Sequence, residues 1–235
     1  MASSTKASPW GRSSREQDRE NKREAVLRTA ARIFNEHGYH GTSLELVAEE
    51  LEITRPTVYY YFKNKDEILF ECVRIALEMI ESAAQRVTER GGSAAEQLVA
   101  VMEQYAEVMM QDFGVCLVRV GDSPLPAESR VKLRRLQSNI DRKLRGLIEQ
   151  GIRQKAFAPC DPKLAAFAVA GALNSISRWY RPDGELTPKE IAGHFVRMLM
   201  GGLELRPAGP RLAAANPTAA PRPARVPAAR AKKAS

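Results

Sequence analysis

Apolar residues recur at helical spacing along most of the chain. Between Arg15 and His37, Ala25, Val26, Ala30, Ile33 and Phe34 make one stripe among charged neighbours. Gly38 follows in the position where a helix ends on a left-handed residue. Thr42-Ser43-Leu44-Glu45 fits a capping box, and Leu44, Val47, Ala48 and Leu51 continue at i, i+3, i+4, i+7. Thr54 is the expected N-cap of a third short helix. Asn64 is that of a long one from Lys65 to about Arg90, closed by Gly91-Gly92. Further helices are predicted from Ser93 to about Asp112, up to Gly121, and from Ala127 to Lys155. Asp161-Pro162 opens another to Tyr180, and Thr187-Pro188-Lys189-Glu190 a last one to about Leu203. No segment alternates with period two. The fold class is therefore all-α, with about nine helices and no sheet.

Composition changes this picture at the two ends. Residues 1–14 are Ser-rich and aperiodic, an expected disordered arm. Residues 206–235 are Ala, Pro, Arg and Lys with no acidic residue, an expected disordered tail. The net charge of +8 points to an acidic partner, nucleic acid first. Yet Arg206, Arg211, Arg222, Arg225, Arg230, Lys232 and Lys233 supply seven of those eight charges. Between Lys22 and Phe70, acidic residues outnumber basic ones by one, so sequence-specific binding must rest on a few placed contacts. The tail reads first as a solubilising end and second as a source of salt-sensitive, non-specific affinity.

Other classes are excluded. The longest apolar run, about Leu164 to Leu173, falls well short of the ~18 residues of a spanning helix, so no membrane association is expected. The amino end lacks the apolar core of a secretory signal, which implies a cytoplasmic protein. Cys72, Cys116 and Cys160 form no C-x-x-C pair, and His37, His40 and His194 have no ligand partner at suitable spacing. Neither a disulfide framework nor a metal site is expected. No nucleophile triad, dinucleotide fingerprint or phosphate loop is present, so the chain is not read as an enzyme and no cofactor is implied.

Thr42 to Phe62 has the spacing of a helix-turn-helix, whose second helix enters the major groove of duplex DNA. At 100° per residue, Val58 and Phe62 point to the first two helices. Pro56, Thr57 and Tyr60 point away from them, with Tyr59 and Tyr61 on the flanks. Arg55, at the first helical position, has the reach for a guanine edge. Taken alone, a Tyr-Tyr-Tyr-Phe run is more often a packed aromatic corner, and Thr42 reads also as a helix cap, Lys63 and Lys65 as solvated charges.

The run from Ala30 to Tyr39, then Thr42-Ser43, Val47-Ala48, Thr54 to Phe62 and Lys63 to Leu69, resembles the DNA-binding domain of the TetR family. The resemblance implies a homodimeric regulator of palindromic operators, all-helical, with a helix-turn-helix at 15–63 and a ligand-binding, dimerising domain at 64–205. It implies that Thr42 donates to a phosphate, that Arg55, Thr57 and Tyr60 face bases, and that Tyr59, Tyr61 and Lys65 hold the backbone. One departure stands out: Glu52 occupies the turn position where the family usually has glycine.

The last two helices resemble the family's dimerising pair, with Leu164, Phe167, Ala168, Gly171, Ile191, Phe195, Leu199 and Leu203 as interface candidates; internal core is the alternative. Met102, Tyr105, Met109, Phe113, Cys116 and Leu117 are candidates for an effector pocket, and ordinary core packing explains each of them at least as well. The run from Asn174 to Leu186, on through Gly202-Leu203, is similar to the C-terminal part of a subgroup that senses acyl-coenzyme A thioesters. That likeness implies an acyl-CoA effector, with Asn174 and Trp179 as further ligand-binding candidates and Arg178, Arg119 or Arg181 near a mouth that meets its phosphates. A surface arginine beside an amphipathic anchor at a helix end is the alternative for Arg178 and Trp179. The rival function is an architectural, ligand-independent DNA binder that works through the basic tail.

Overall fold

The computed structural model describes residues 15–204; the expected arm and tail lie outside them. The described residues form α1 (Arg15–Gly41), α2 (Leu44–Glu50), α3 (Arg55–Tyr61), α4 (Lys65–Arg90) and α5 (Ala94–Met109). The chain continues through α6 (Asp112–Arg119), α7 (Ala127–Arg153), α8 (Pro162–Trp179) and α9 (Pro188–Leu203). No strand occurs among them, only an isolated antiparallel bridge between Phe157 and Glu204.

Local chemistry sets most boundaries. Asn64, Ser93, Asp161 and Thr187 each accept backbone N–H bonds at a helix start, and Ser93–Glu96 and Thr187–Glu190 close reciprocal capping boxes. Gly38, at φ 69°, breaks α1 before its last turn. One expected cap is corrected. Ser43, not Thr42, caps α2, because its hydroxyl accepts from Leu46 N, while the Thr42 hydroxyl donates back to Gly38 O at 2.7 Å. Thr54 stands at the expected N-cap of α3 without its side-chain bond, since its hydroxyl is paired with that of Thr57 at 2.8 Å.

α5 lies at the centre and packs against α4, α6, α7, α8 and α9. One apolar cluster runs from Val26 in α1 to Leu203 in α9, with Phe34, Phe62, Leu98, Met102 and Leu133 among its fully buried members. The helix-turn-helix and the larger bundle share α4. Near its start, Glu71 meets Arg23 of α1 at 2.6 Å; further along, Glu81 accepts from Asn139 of α7 at 3.1 Å.

Candidate nucleic-acid interface and effector cavity

The interface is built on α2 and α3. After α2, Glu52 N–H bonds to Glu49 O and Ile53 N–H to Ala48 O, both at 3.0 Å, with Glu52 at φ 54°. That is a Schellman closure, and it sets the turn into α3 with a glutamate in the left-handed position. Val58 and Phe62 are fully buried and fasten α3 to the core. Arg55, Pro56, Tyr59 and Tyr60 are the exposed residues of α3, with Tyr60 at 69% exposure and its ring edge-on to that of half-buried Tyr61. Arg55 pairs with Glu45 of α2 and lies 5.8 Å over the Tyr59 ring, which keeps its guanidinium extended along the exposed face.

Behind this face, the segment joining α1 to α2 is held on the start of α4. Lys65 Nζ donates to Tyr39 O at 3.1 Å and Thr42 O at 3.4 Å, and lies 4.3 Å over the Tyr39 ring. The Tyr39 hydroxyl donates to Asp66; burial and that carboxylate push the phenol up to about 12. Glu71 is partly buried, which would raise its carboxyl. Hydrogen bonds and charge from Arg74 and Arg23 outweigh this and hold it below the usual range, so the α1–α4 joint is ionic at neutral pH.

In the larger bundle, a cavity of about 720 Å³ lies between α7 and α8 and reaches α4, α5 and α6. Its apolar walls are Leu77, Leu117, Val118, Ile140, Leu144 and Phe167. Its polar groups include Arg134, Gln137, Ser138, Asp141, Asn174 and Arg178. Tyr105 donates to Asn174 Oδ1 at 3.0 Å inside it, with a phenol pushed up to about 12 by burial. On the outer side of α8, Leu164 (64% exposed), Phe167 (51%), Ala168 and Gly171 form a small-residue and apolar stripe, and Met198 of α9 is also exposed (67%).

Comparison with known proteins assigns this architecture. Residues 26–72 match the family model for bacterial regulatory proteins of the tetR family, and residues 91–203 that for a tetracyclin repressor-like C-terminal domain. The solved structure of the TetR family regulator PfmR from Thermus thermophilus is 32% identical, covering 77% of this chain and 99% of its own, with a TM-score of 0.70. The chain belongs to the TetR family. It is a DNA-binding transcriptional regulator, not an enzyme. It is also similar to AibR, solved in complex with isovaleryl coenzyme A and operator DNA, at 27% identity, 76% and 98% coverage and a TM-score of 0.68. The repressor KstR2 of Mycolicibacterium smegmatis is 24% identical over 196 residues, 78% of this chain and 91% of its own.

Within this TetR chain, the structure sorts the residues expected from sequence. Arg55, Pro56, Tyr59 and Tyr60 share one exposed surface, and Thr57 and Tyr61 are half-buried beside it. Thr42 is corrected: it is buried and its hydroxyl hydrogen is committed to Gly38, so it has no proton to offer a phosphate. Tyr105, Leu117, Asn174 and Arg178 line the cavity, but Met102, Met109, Phe113 and Cys116 do not. Those four are buried in the apolar core cluster. Arg119 is not at a mouth either; its Nε donates to Ser177 O at 3.0 Å and closes the end of α8. Trp179 stacks on Phe195, centroids 6.1 Å apart, outside the cavity. Of the dimer candidates, Ile191 and Leu203 are buried within their own chain, Phe195 and Leu199 are half-buried, and the α8 residues are open. Sequence reading missed the α7 wall. Arg134, Ser138 and Asp141 stand at i, i+4, i+7, one face of that helix, but a polar stripe lining a cavity has the same pattern as one facing water.

Proposed function

We propose that the protein is a homodimeric repressor that binds a palindromic operator through α3 and is released by an acyl-CoA thioester. The observation that carries the DNA reading is the sidedness of α3: Val58 and Phe62 buried, Arg55, Pro56, Tyr59 and Tyr60 exposed together. Arg55 exchanges Glu45 for a base edge on docking, Thr57 and Tyr60 read beside it, and Tyr59, Tyr61 and the remaining N–H of Lys65 meet phosphates. The homodimer is supported by the open α8 stripe and by operator symmetry, since two identical readers suit a twofold site.

The effector reading is supported by the cavity and by the ligand of AibR. Apolar walls suit an acyl chain, and Arg134 and Arg178 among the lining residues suit phosphates or a thioester carbonyl. Effector in the cavity touches Leu77 of α4, which is one covalent step from α3, so occupancy changes the spacing of the two readers. By linkage, operator DNA weakens effector binding by the same factor.

Enrichment of duplexes from a random pool tests the first part, with an inverted repeat and two chains per duplex as the expected result. Arg55→Ala should lower the preference for the enriched duplex over a scrambled one by roughly 10- to 100-fold for each half-site, the worth of one good base contact. An equal loss on both duplexes removes the base-reading role. Acyl-CoAs of graded chain length, titrated into the complex, test the second part; release by none of them removes the thioester and leaves the DNA reading intact.

A further inference from the structure

We infer that Arg19, in α1 and ahead of the two-helix motif at 42–62, is a DNA-backbone contact that widens the interface along α1. The inference rests on the proposed operator binding by α3. α1 starts at Arg15, yet its first fully buried residue is Val26. About three turns of helix therefore precede the first fully buried position, and none of residues 16–25 is fully buried. Two arginines one turn apart lay this overhang against the recognition helix. Arg23 is anchored on Glu71 at 2.6 Å and lies 5.1 Å over the Phe62 ring, on the core side. Arg19 lies 5.9 Å over the ring of Tyr60, the most exposed tyrosine of the DNA-facing surface.

The ion pairing of this region is uneven. Arg23, Arg28, Arg32, Arg55 and Arg74 each have a carboxylate within 4.0 Å among the described residues. Arg19 has none there, although Glu16 and Glu20 share its stretch of helix; Glu20 turns to Arg23 at 3.8 Å. A guanidinium stacked on a ring keeps its in-plane N–H donors free, and those donors match a phosphate bidentately. Among the described residues, Arg19 thus holds an unneutralised cation at the border of the groove-reading face, where the backbone of a duplex docked on α3 passes. Tyr60 serves as both reader and platform.

The test is fluorescence anisotropy on two labelled duplexes, the one enriched by the wild-type protein and a scrambled one of equal length, between roughly 50 and 200 mM salt. Phosphate contacts carry no sequence information, so Arg19→Gln should weaken both duplexes by the same factor, several-fold. It should flatten the log–log salt slope by about 1 per protomer, roughly 2 for a dimer. Arg19→Lys should keep the slope. An unchanged slope overturns the inference. So does a loss confined to the enriched duplex, which would make Arg19 only a prop for Tyr60. If the wild type prefers no duplex at all, the operator reading falls, and the slope on the scrambled duplex still decides the role of Arg19. Unchanged circular dichroism melting shows that the variants are folded.

Discussion

At Glu52 the backbone φ of 54° is one that glycine adopts freely and a glutamate adopts at a cost of roughly 1–2 kcal/mol. The Schellman bonds to Glu49 and Ala48 hold it there, and Ile53 packs against the core directly after it. Replacing the residue with glycine removes the strain but loosens the unfolded chain, which returns part of the gain. Glu52→Gly should therefore stabilise the protein by about 0.5–1 kcal/mol. The check is a higher urea midpoint at unchanged m-value, with operator affinity unaltered because the turn keeps its shape. A midpoint at or below the wild-type value would mean that the Glu52 side chain makes a compensating contact. This site was legible beforehand because the resemblance marked a glycine slot and the sequence shows a glutamate in it. Lys155, at φ 59° after α7, closes its helix in the same way, with Lys155 N–H on Ile152 O and Ala156 N–H on Gly151 O. No motif marked that position in advance.

Among the elements, the eight-residue α6 is clamped on two sides. Toward the bundle, an added Cβ at Gly114 would stand 2.0 Å from Val108 O, so only glycine lets α6 cross so close to the end of α5. The buried Ser177 hydroxyl donates to Met109 O at 2.7 Å, and Arg119 ties the end of α6 to the end of α8. Toward the DNA-binding helices, Asn35 Nδ2 donates to Asp112 O at 3.0 Å and Arg28 lies 5.6 Å over the Phe113 ring. Ser177→Ala removes the donor to the Met109 carbonyl in a site that water does not reach, so it should cost about 1–2 kcal/mol. A lower thermal midpoint, with helix content intact, is the measurement, and an unchanged midpoint would show that the carbonyl finds another donor. Helix starts and ends were readable because caps and glycines act within a few residues; Ser93, Asp161 and Thr187 are examples. The partners of α6, the placing of Met102 or Cys116 in core rather than cavity wall, and the choice between Thr42 and Ser43 were not. Each depends on which stripe meets which neighbour, and an apolar stripe reads the same against any of them.

For the whole molecule, three residues belong to two surfaces at once. Phe167, Gly171 and Arg178 line the cavity, and all three also lie exposed on the outer side of α8. If a second copy seats on that stripe, as proposed, its α8 covers the open side of the cavity, and the effector binds to a chamber that one chain leaves incomplete. Effector binding and dimerisation are then linked, each strengthening the other by the same factor. Leu164 separates this from simple proximity, because it is 64% exposed on the same stripe but does not line the cavity. Leu164→Glu places two like charges across the twofold contact without touching the effector site, so sedimentation velocity should show a shift toward monomer. Isothermal titration with the releasing thioester should then show affinity at least ten-fold weaker than wild type and restored at high protein concentration, where mass action rebuilds the dimer. A monomeric variant that keeps wild-type affinity would mean that the cavity is complete within one chain. The coupling to DNA would then have to pass through α4 and α6 of that chain alone.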